Sequence, residues 1–254
     1  MAPSYHALLA VDAEGFSRNR DIELPGLHTE IRRAVECACD RSGLGDAWRT
    51  ARVRQHSGDG LFAILPEQAA ISLIHPFGRQ VQDILAEGAP RLRADGLRLR
   101  LRIALHAGLV DDERPVTAGI STATNDVHRL LECEPLKAAL ADSDPDLTLA
   151  AMVVSAEMFD VYVRGGHTRL RASQFTPVAA RVKQFDRTAF LYVPVPSRRP
   201  ADADAAPGAP DDSVGLGEHG GSGGVSLGEV SVTGDGAQNV IGNQVGGDIR
   251  QRRS

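Results

Sequence analysis

The sequence predicts a mixed α/β (α+β) domain, one sheet covered by helices, followed by a flexible glycine-rich tail. Three observations carry this expectation. Short apolar runs of strand length alternate with longer segments whose apolar residues recur at helical spacing. The 254 residues are 42% hydrophobic and 24% charged, which is ordinary globular usage. Composition then changes abruptly near residue 196: all eleven aromatic residues lie at or before Tyr192, and the last 54 residues hold 13 of the 26 glycines.

The elements follow in order. Tyr5–Val11 is an apolar run bounded by Asp12 and Gly15, the pattern of a buried strand. From Asp21 to about Arg41, Leu24, Leu27, Ile31, Ala34, Val35 and Ala38 recur near helical spacing and stop before Ser42-Gly43. Arg52–Gln55 and Leu61–Leu65 flank Ser57-Gly58-Asp59-Gly60, a hairpin signal because Asp-Gly and Gly tolerate positive φ. Glu67 to Glu87 reads as a second helix, and Leu97–Val110 as a long strand in which Leu and Ile alternate with Arg. A helix over about Asn125–Leu140 and a strand at Leu147–Val154 follow. Ser155 can cap a short helix to Val163, its hydroxyl satisfying an orphan amide. Strands at Thr176–Val182 and Thr188–Val193 close the domain, and the order βαββαβαβαββ suggests a sheet covered by helices on one side.

Residues 1–195 are therefore one domain. Residues 196–224, rich in Pro, Ala, Asp, Gly and Ser, cannot bury enough apolar surface to offset their ordering entropy and read as a linker. Residues 225–254 differ, since Val, Ile and Leu alternate there with Gly, Asn and Gln.

Several function classes are excluded. No run of about 18 apolar residues exists to cross a membrane. Asp12 comes too early for a secretory leader, and a net charge of −5 argues against a general nucleic-acid binder. Cys37, Cys39 and Cys133 form no CxxC pair and no even disulfide set, which fits reduced thiols in a cytoplasm. Cys37 and Cys39 read as packing residues, and Trp48 as a plug of the helix-to-strand connection. His6, His56, His106 and His128 lack HxxxH or HxH spacing and read as core or surface residues. The 26 Arg to 2 Lys reads as coding bias rather than chemistry.

Two acidic residues stand out by position. Asp12 ends the first strand and Asp59 sits at the hairpin tip. If those strands are neighbours, both carboxylates leave the same sheet end, where hard oxygen ligands can hold Mg²⁺ or Mn²⁺. Read singly, Asp59 makes a turn and Asp12 ends a strand.

The ordered set VDAEGFS, HSGDGLFAILP, LRIALHAGLV, NDVHRLL and MVVSAEMF resembles the class III adenylate and guanylate cyclases over residues 5 to about 193. That resemblance implies a ferredoxin-like nucleotide cyclase sheet covered by helices. It implies that Asp12, Asp59 and the backbone carbonyl of Ala13 bind two Mg²⁺ or Mn²⁺ per site. It further implies that Asn125 orients the ribose of a nucleoside triphosphate and that Arg129 stabilises the transition state. In such cyclases the metal pair and the Asn–Arg pair come from different subunits, so a homodimer is part of the expectation. The family's base-selecting Lys is Gln55 here, flanked by Arg54 and His56, and its Asp or Thr partner falls at Ala118, beside Thr117. Asp126 and His128 stand where the family has small apolar residues.

Residues 237–248, AQNVIGNQVGGD, resemble a RHIM-type amyloid signalling motif, with Gln244-Val245-Gly246 matching and Asn243 in place of a β-branched residue. Stacked strands would ladder the Asn and Gln amides around a dry zipper of Val240, Ile241 and Val245. The plainer alternative is a solvated tail. The expectation is thus a cytoplasmic, homodimeric nucleotide cyclase-like protein of a signalling or defence pathway, with no membrane or nucleic-acid partner and a tail able to recruit a partner bearing a matching motif. The alternative is a degenerate pseudo-cyclase that acts as a nucleotide-binding or interaction module through its tail.

Overall fold

Ala7 to Ala13 are seven consecutive buried residues, so the first strand must be covered on both faces and paired on both edges. The computed structural model describes residues 4–51, 53–110 and 119–199, and there this strand is central. The elements are β1 (Ser4–Ala13), α1 (Leu24–Arg41), α2 (Gly45–Thr50), β2 (Val53–His56), β3 (Gly60–Pro66), α3 (Ala69–Ser72), α4 (Gly78–Ala94) and β4 (Leu101–Val110), then α5 (Thr122–Glu132), α6 (Glu134–Ala141), β5 (Ala150–Ser155), α7 (Ala156–Met158), β6 (Thr176–Val182) and β7 (Phe185–Tyr192). The sheet runs β2-β3-β1-β4-β5-β7-β6, antiparallel except for the β4–β5 pair. Its first four strands have the order of a ferredoxin-like βαββαβ unit. The tail and its amyloid-like motif, Ala118 with Thr117, and Arg52 lie outside the described residues.

The helices cover both faces, not one. Ala7, Leu9 and Val11 of β1 pack with Ile31, Ala34 and Val35 of α1 and with Val81 and Ile84 of α4. The alternate residues Leu8 and Ala10 pack with Val127 and Leu130 of α5 and Leu136 and Leu140 of α6. Period-2 alternation cannot reveal a second layer when both sets of β1 side chains are apolar.

Two expected helices are interrupted, both by proline. The segment read as Glu67–Glu87 breaks at His75, which is extended ahead of Pro76 and separates α3 from α4; α4 itself continues to Ala94. The segment read as Asn125–Leu140 breaks at Cys133, also extended, because Pro135 has no N–H to donate to Leu131. The strands read from Leu97 and Leu147 begin later, at Leu101 and Ala150. Ser155 caps α7 as its sequence suggests, accepting a hydrogen bond from the Met158 amide at 3.4 Å. Trp48 is buried in the core and Cys39 with it, both as packing residues. Among the described residues no helix is long and apolar enough to cross a membrane.

The hairpin glycine serves a different purpose from the one its sequence suggests. Among the described glycines, positive φ occurs at Gly15, Gly43, Gly96, Gly119 and Gly166, not at Gly58 or Gly60. Gly60 is opposite Asp12, and a Cβ there would lie 2.2 Å from the Val11 carbonyl oxygen and 3.1 Å from Asp12 Cα. The absent side chain lets the hairpin approach the end of β1. On the other side of β1, a Cβ on Gly108 of β4 would lie 2.7 Å from the Ala123 side chain, so α5 rests close against the sheet.

Two stability measurements follow from this packing. Gly60→Ala should cost about 1–3 kcal/mol in denaturant unfolding, because the new methyl meets fixed backbone rather than a mobile side chain; unchanged stability would mean the hairpin is not held by this approach. His106 of β4 is buried beneath α5; among the described residues its Nδ1 has no hydrogen-bond partner, the Glu157 carboxylate lying 3.8 Å away. Burial holds its pKa below the usual 6.5, with Arg187 in the same direction and Glu157 and Asp126 opposing. Below pH 6.5 the unfolded chain therefore takes up a proton that the folded chain refuses, so stability falls as pH falls through that value. Between pH 7.5 and 5.5 His106→Leu should lose about 1 kcal/mol less than the wild type; equal losses would show that His106 does not carry the effect.

Candidate active site

The site grows out of the register of β1. Asp12 follows Leu8 and Ala10 on the α5 face and is paired with Gly60 on one side and Arg102 on the other. Directly opposed residues on one face are in side-chain contact. The Arg102 guanidinium accordingly donates from Nε to Asp12 Oδ1 at 2.8 Å and from Nη2 to Oδ2 at 2.7 Å. Both side chains are largely buried, at 15% and 12% exposure. Burial nevertheless outweighs the guanidinium and pushes the Asp12 carboxyl up to about 6, with Asp59 and Glu132 adding to the rise. Asp12 is therefore ionised at neutral pH at a cost to folding that declines as pH falls from about 6 toward the ordinary value of 3.8, opposite in sign to His106.

Asp59 sits on the exposed turn between β2 and β3. The Ala13 amide donates to its backbone oxygen at 2.8 Å, and the Ser57 hydroxyl to its Oδ1 at 3.0 Å. His28 of α1 holds the same turn through Nδ1 and the Gly58 carbonyl, 3.0 Å apart. Asp12 and Asp59 thus share a groove of about 250 Å³, lined also by Gln55, His56, Phe62 and His128. Gln55 is exposed and lies opposite Phe62, whose ring meets that of His128 with centroids 5.1 Å apart. Partial desolvation lowers the pKa of the exposed His56 and His128 below the usual 6.5, which favours their neutral forms at pH 7.

The other two expected residues do not join this groove within one chain. Ser121 caps α5 by accepting from the Thr124 amide at 3.0 Å, and Asn125 is exposed on the following turn. Arg129 is bonded to Asp126 Oδ1 at 3.4 Å, and its guanidinium carbon lies 5.7 Å from the centre of the Phe185 ring. Neither Asn125 nor Arg129 lines the groove.

Sequence reasoning assigned no role to Phe62, His128 or Glu132, which line this groove, or to Arg102, which holds Asp12. Only Arg102 had a usable signal: an arginine at the start of an alternating strand that would pair beside a strand-end Asp.

The donor set suits a hard divalent cation. Asp12 and Asp59 are carboxylates, and Ala13, next to Asp12 at the end of β1, adds a backbone carbonyl. Arg102 uses one lone pair on each Asp12 oxygen, whereas an ionised carboxylate offers about four. Among the described residues no group of three or more His, Cys, Asp or Glu is gathered as a metal site. Any further ligands would be water or oxygens of a substrate.

No protein-family model matches the sequence, and no curated protein matches it. Solved structures do match. The adenylyl cyclase CyaB from P. aeruginosa aligns with a TM-score of 0.50 at 16% identity, over 78% of this chain and 98% of that one. Adenylate cyclases from Trypanosoma brucei in their monomeric state align with a TM-score of 0.51 at 15% identity, over 78% and 91%. At such identity the likeness is one of fold. The α/β domain described here has the fold of the adenylyl cyclase domains.

Proposed function

We propose that this chain converts a nucleoside triphosphate into a 3′,5′-cyclic nucleotide and pyrophosphate, as a cytoplasmic homodimer. The observation that supports this most is the pair of carboxylates, Asp12 and Asp59, on adjoining backbone at one sheet end beside a buried arginine. Asp12, Asp59 and the Ala13 carbonyl would hold two Mg²⁺ or Mn²⁺, which would supply charge neutralisation at the phosphates and acidify the attacking hydroxyl. Arg102 would hold Asp12 in position for the cations through its two hydrogen bonds. Gln55 would read the base edge with its amide, and the uncharged His56 and His128 leave the groove without a competing positive charge at neutral pH. The 3′-hydroxyl would attack the α-phosphorus and give up its proton to water, as the bond to the bridging oxygen breaks and pyrophosphate leaves. A guanidinium beside that phosphorus stabilises the developing charge. Arg129 does not line the groove of its own chain, so it and Asn125 would serve the groove of a second copy.

The base is not specified by Gln55, since a terminal amide both donates and accepts. Incubating the purified protein with Mn²⁺ and each of ATP, GTP, CTP and UTP, with mass spectrometry of the products, identifies it. One triphosphate should yield a cyclic nucleotide, and Asp59→Ala should lower the rate by at least about a hundredfold while leaving the unfolding midpoint within a few degrees. Turnover that survives Asp59→Ala contradicts the assignment of that carboxylate.

A second reading is favoured by Gln55, where the resemblance expects lysine, and by the Asp126 contact of Arg129. On it the domain is a pseudo-cyclase, and residues 225–254 recruit it to a partner with a matching amyloid motif. No cyclic product from any of the four triphosphates would support this reading.

A further inference from the structure

Arg129 is not a free cation. It lies three residues after Asp126 on α5, and its Nη1 meets Asp126 Oδ1 at 3.4 Å while the guanidinium covers the Phe185 ring at the start of β7. The two partners differ in environment: the Arg129 side chain is 43% exposed but that of Asp126 only 15%. Asp126 turns toward a space of about 10 Å³, room for about one water, shared with His106, Ser155, Glu157 and Arg187. A carboxylate so enclosed keeps a partner more firmly than an exposed one, because an unpaired buried charge is costly. The face of Phe185 adds a weak attraction for the same guanidinium.

Resting on the cyclisation reading above, we propose that Asp126 is a positioning residue that restrains Arg129 within its own chain, as an autoinhibitory contact. The guanidinium must leave Asp126 and Phe185 before it can reach an α-phosphate, and the carboxylate it leaves competes with that phosphate for it. Arg187 borders the same small space and is the group placed to take over Asp126 when Arg129 departs. The contact thus has two arrangements, one with Arg129 on Asp126 and one with Arg129 released. Charge that develops on the α-phosphate during the reaction supplies the better anion and shifts the balance toward release. Because the Arg129 side of the pair is open to solvent and the contact is long, at 3.4 Å, the pair is worth about 1 kcal/mol, a restraint that charge developing at the α-phosphorus can overcome.

The full-length protein tests this through two variants that attack the contact from opposite sides. Asp126→Asn keeps the size of the side chain and removes its charge. Phe185→Leu keeps the apolar filling and removes the ring face. Since Arg129 would act on charge that develops only during reaction, either variant should raise kcat roughly two- to fivefold with KM unchanged, and Asp126→Glu should return it toward the wild-type value. The chemical freedom of Arg129 is read separately, by its rate of modification with phenylglyoxal followed by peptide mass spectrometry; it should rise in both variants. Lower or unchanged kcat together with unchanged modification of Arg129 would overturn the restraint. A protein that cyclises no triphosphate, but whose Arg129 is released by both substitutions, would support the restraint and overturn the cyclisation reading, so the two failures are distinguishable.

Discussion

The backbone of β1 is the constraint on which the rest depends. It is paired along its length on both sides, with β3 and with β4, and every one of its residues from Ala7 to Ala13 is buried. A strand held in that way cannot slide by one residue without sending its entire set of side chains to the other face. Its register therefore fixes three things at once: Asp12 on the α5 face, Arg102 directly opposite it, and Gly60 against its backbone. The missing Cβ of Gly60 allows the hairpin close enough for the Ala13 amide to bond Asp59. A carboxylate from the centre of the sheet and another from an exposed turn are brought together by main-chain geometry, with no side-chain contact between them required.

This arrangement sets the electrostatics of the groove. Asp12 is desolvated and paired, Asp59 is solvated, and the two act on each other with like charge. The guanidinium of Arg102 satisfies Asp12 without exhausting its lone pairs, so the carboxylate remains available to a cation. The groove is accordingly lined by three carboxylates, Asp12, Asp59 and Glu132, together with the Phe62 ring and the imidazoles of His56 and His128.

Much of this was legible in the sequence, for identifiable reasons. β1, the hairpin and the closing strands are apolar runs bounded by turn residues, and Asp12 and Asp59 sit at their ends, so both were found from position. The helix breaks are harder to read, because Pro76 and Pro135 lie inside segments whose apolar periodicity continues past them. The second helical layer was hidden because Leu8 and Ala10 are as apolar as Ala7 and Leu9. Gly60 was recognised as a turn glycine, but its close approach to Val11 depends on a strand fifty residues away. Arg102 was invisible as a partner for the same reason, since its contact with Asp12 spans ninety positions and exists only once β1 and β4 are paired. The turn of Arg129 toward Phe185 depends on β7, which no local pattern on α5 could reveal.

Asn125 and Arg129 stand apart from the groove of their own chain, and this division governs the whole functional account. If the groove carries the metal-binding half of one site and α5 carries the other half, neither works without a second copy in closed two-fold symmetry. The most direct test mixes two inactive proteins, Asp59→Ala and Arg129→Ala, in equal amounts under conditions that allow subunits to exchange, and assays cyclic nucleotide formation. Random pairing leaves one complete site in each mixed dimer, so about one quarter of the wild-type activity should return. A mixture no more active than either variant alone would contradict a site shared between two chains.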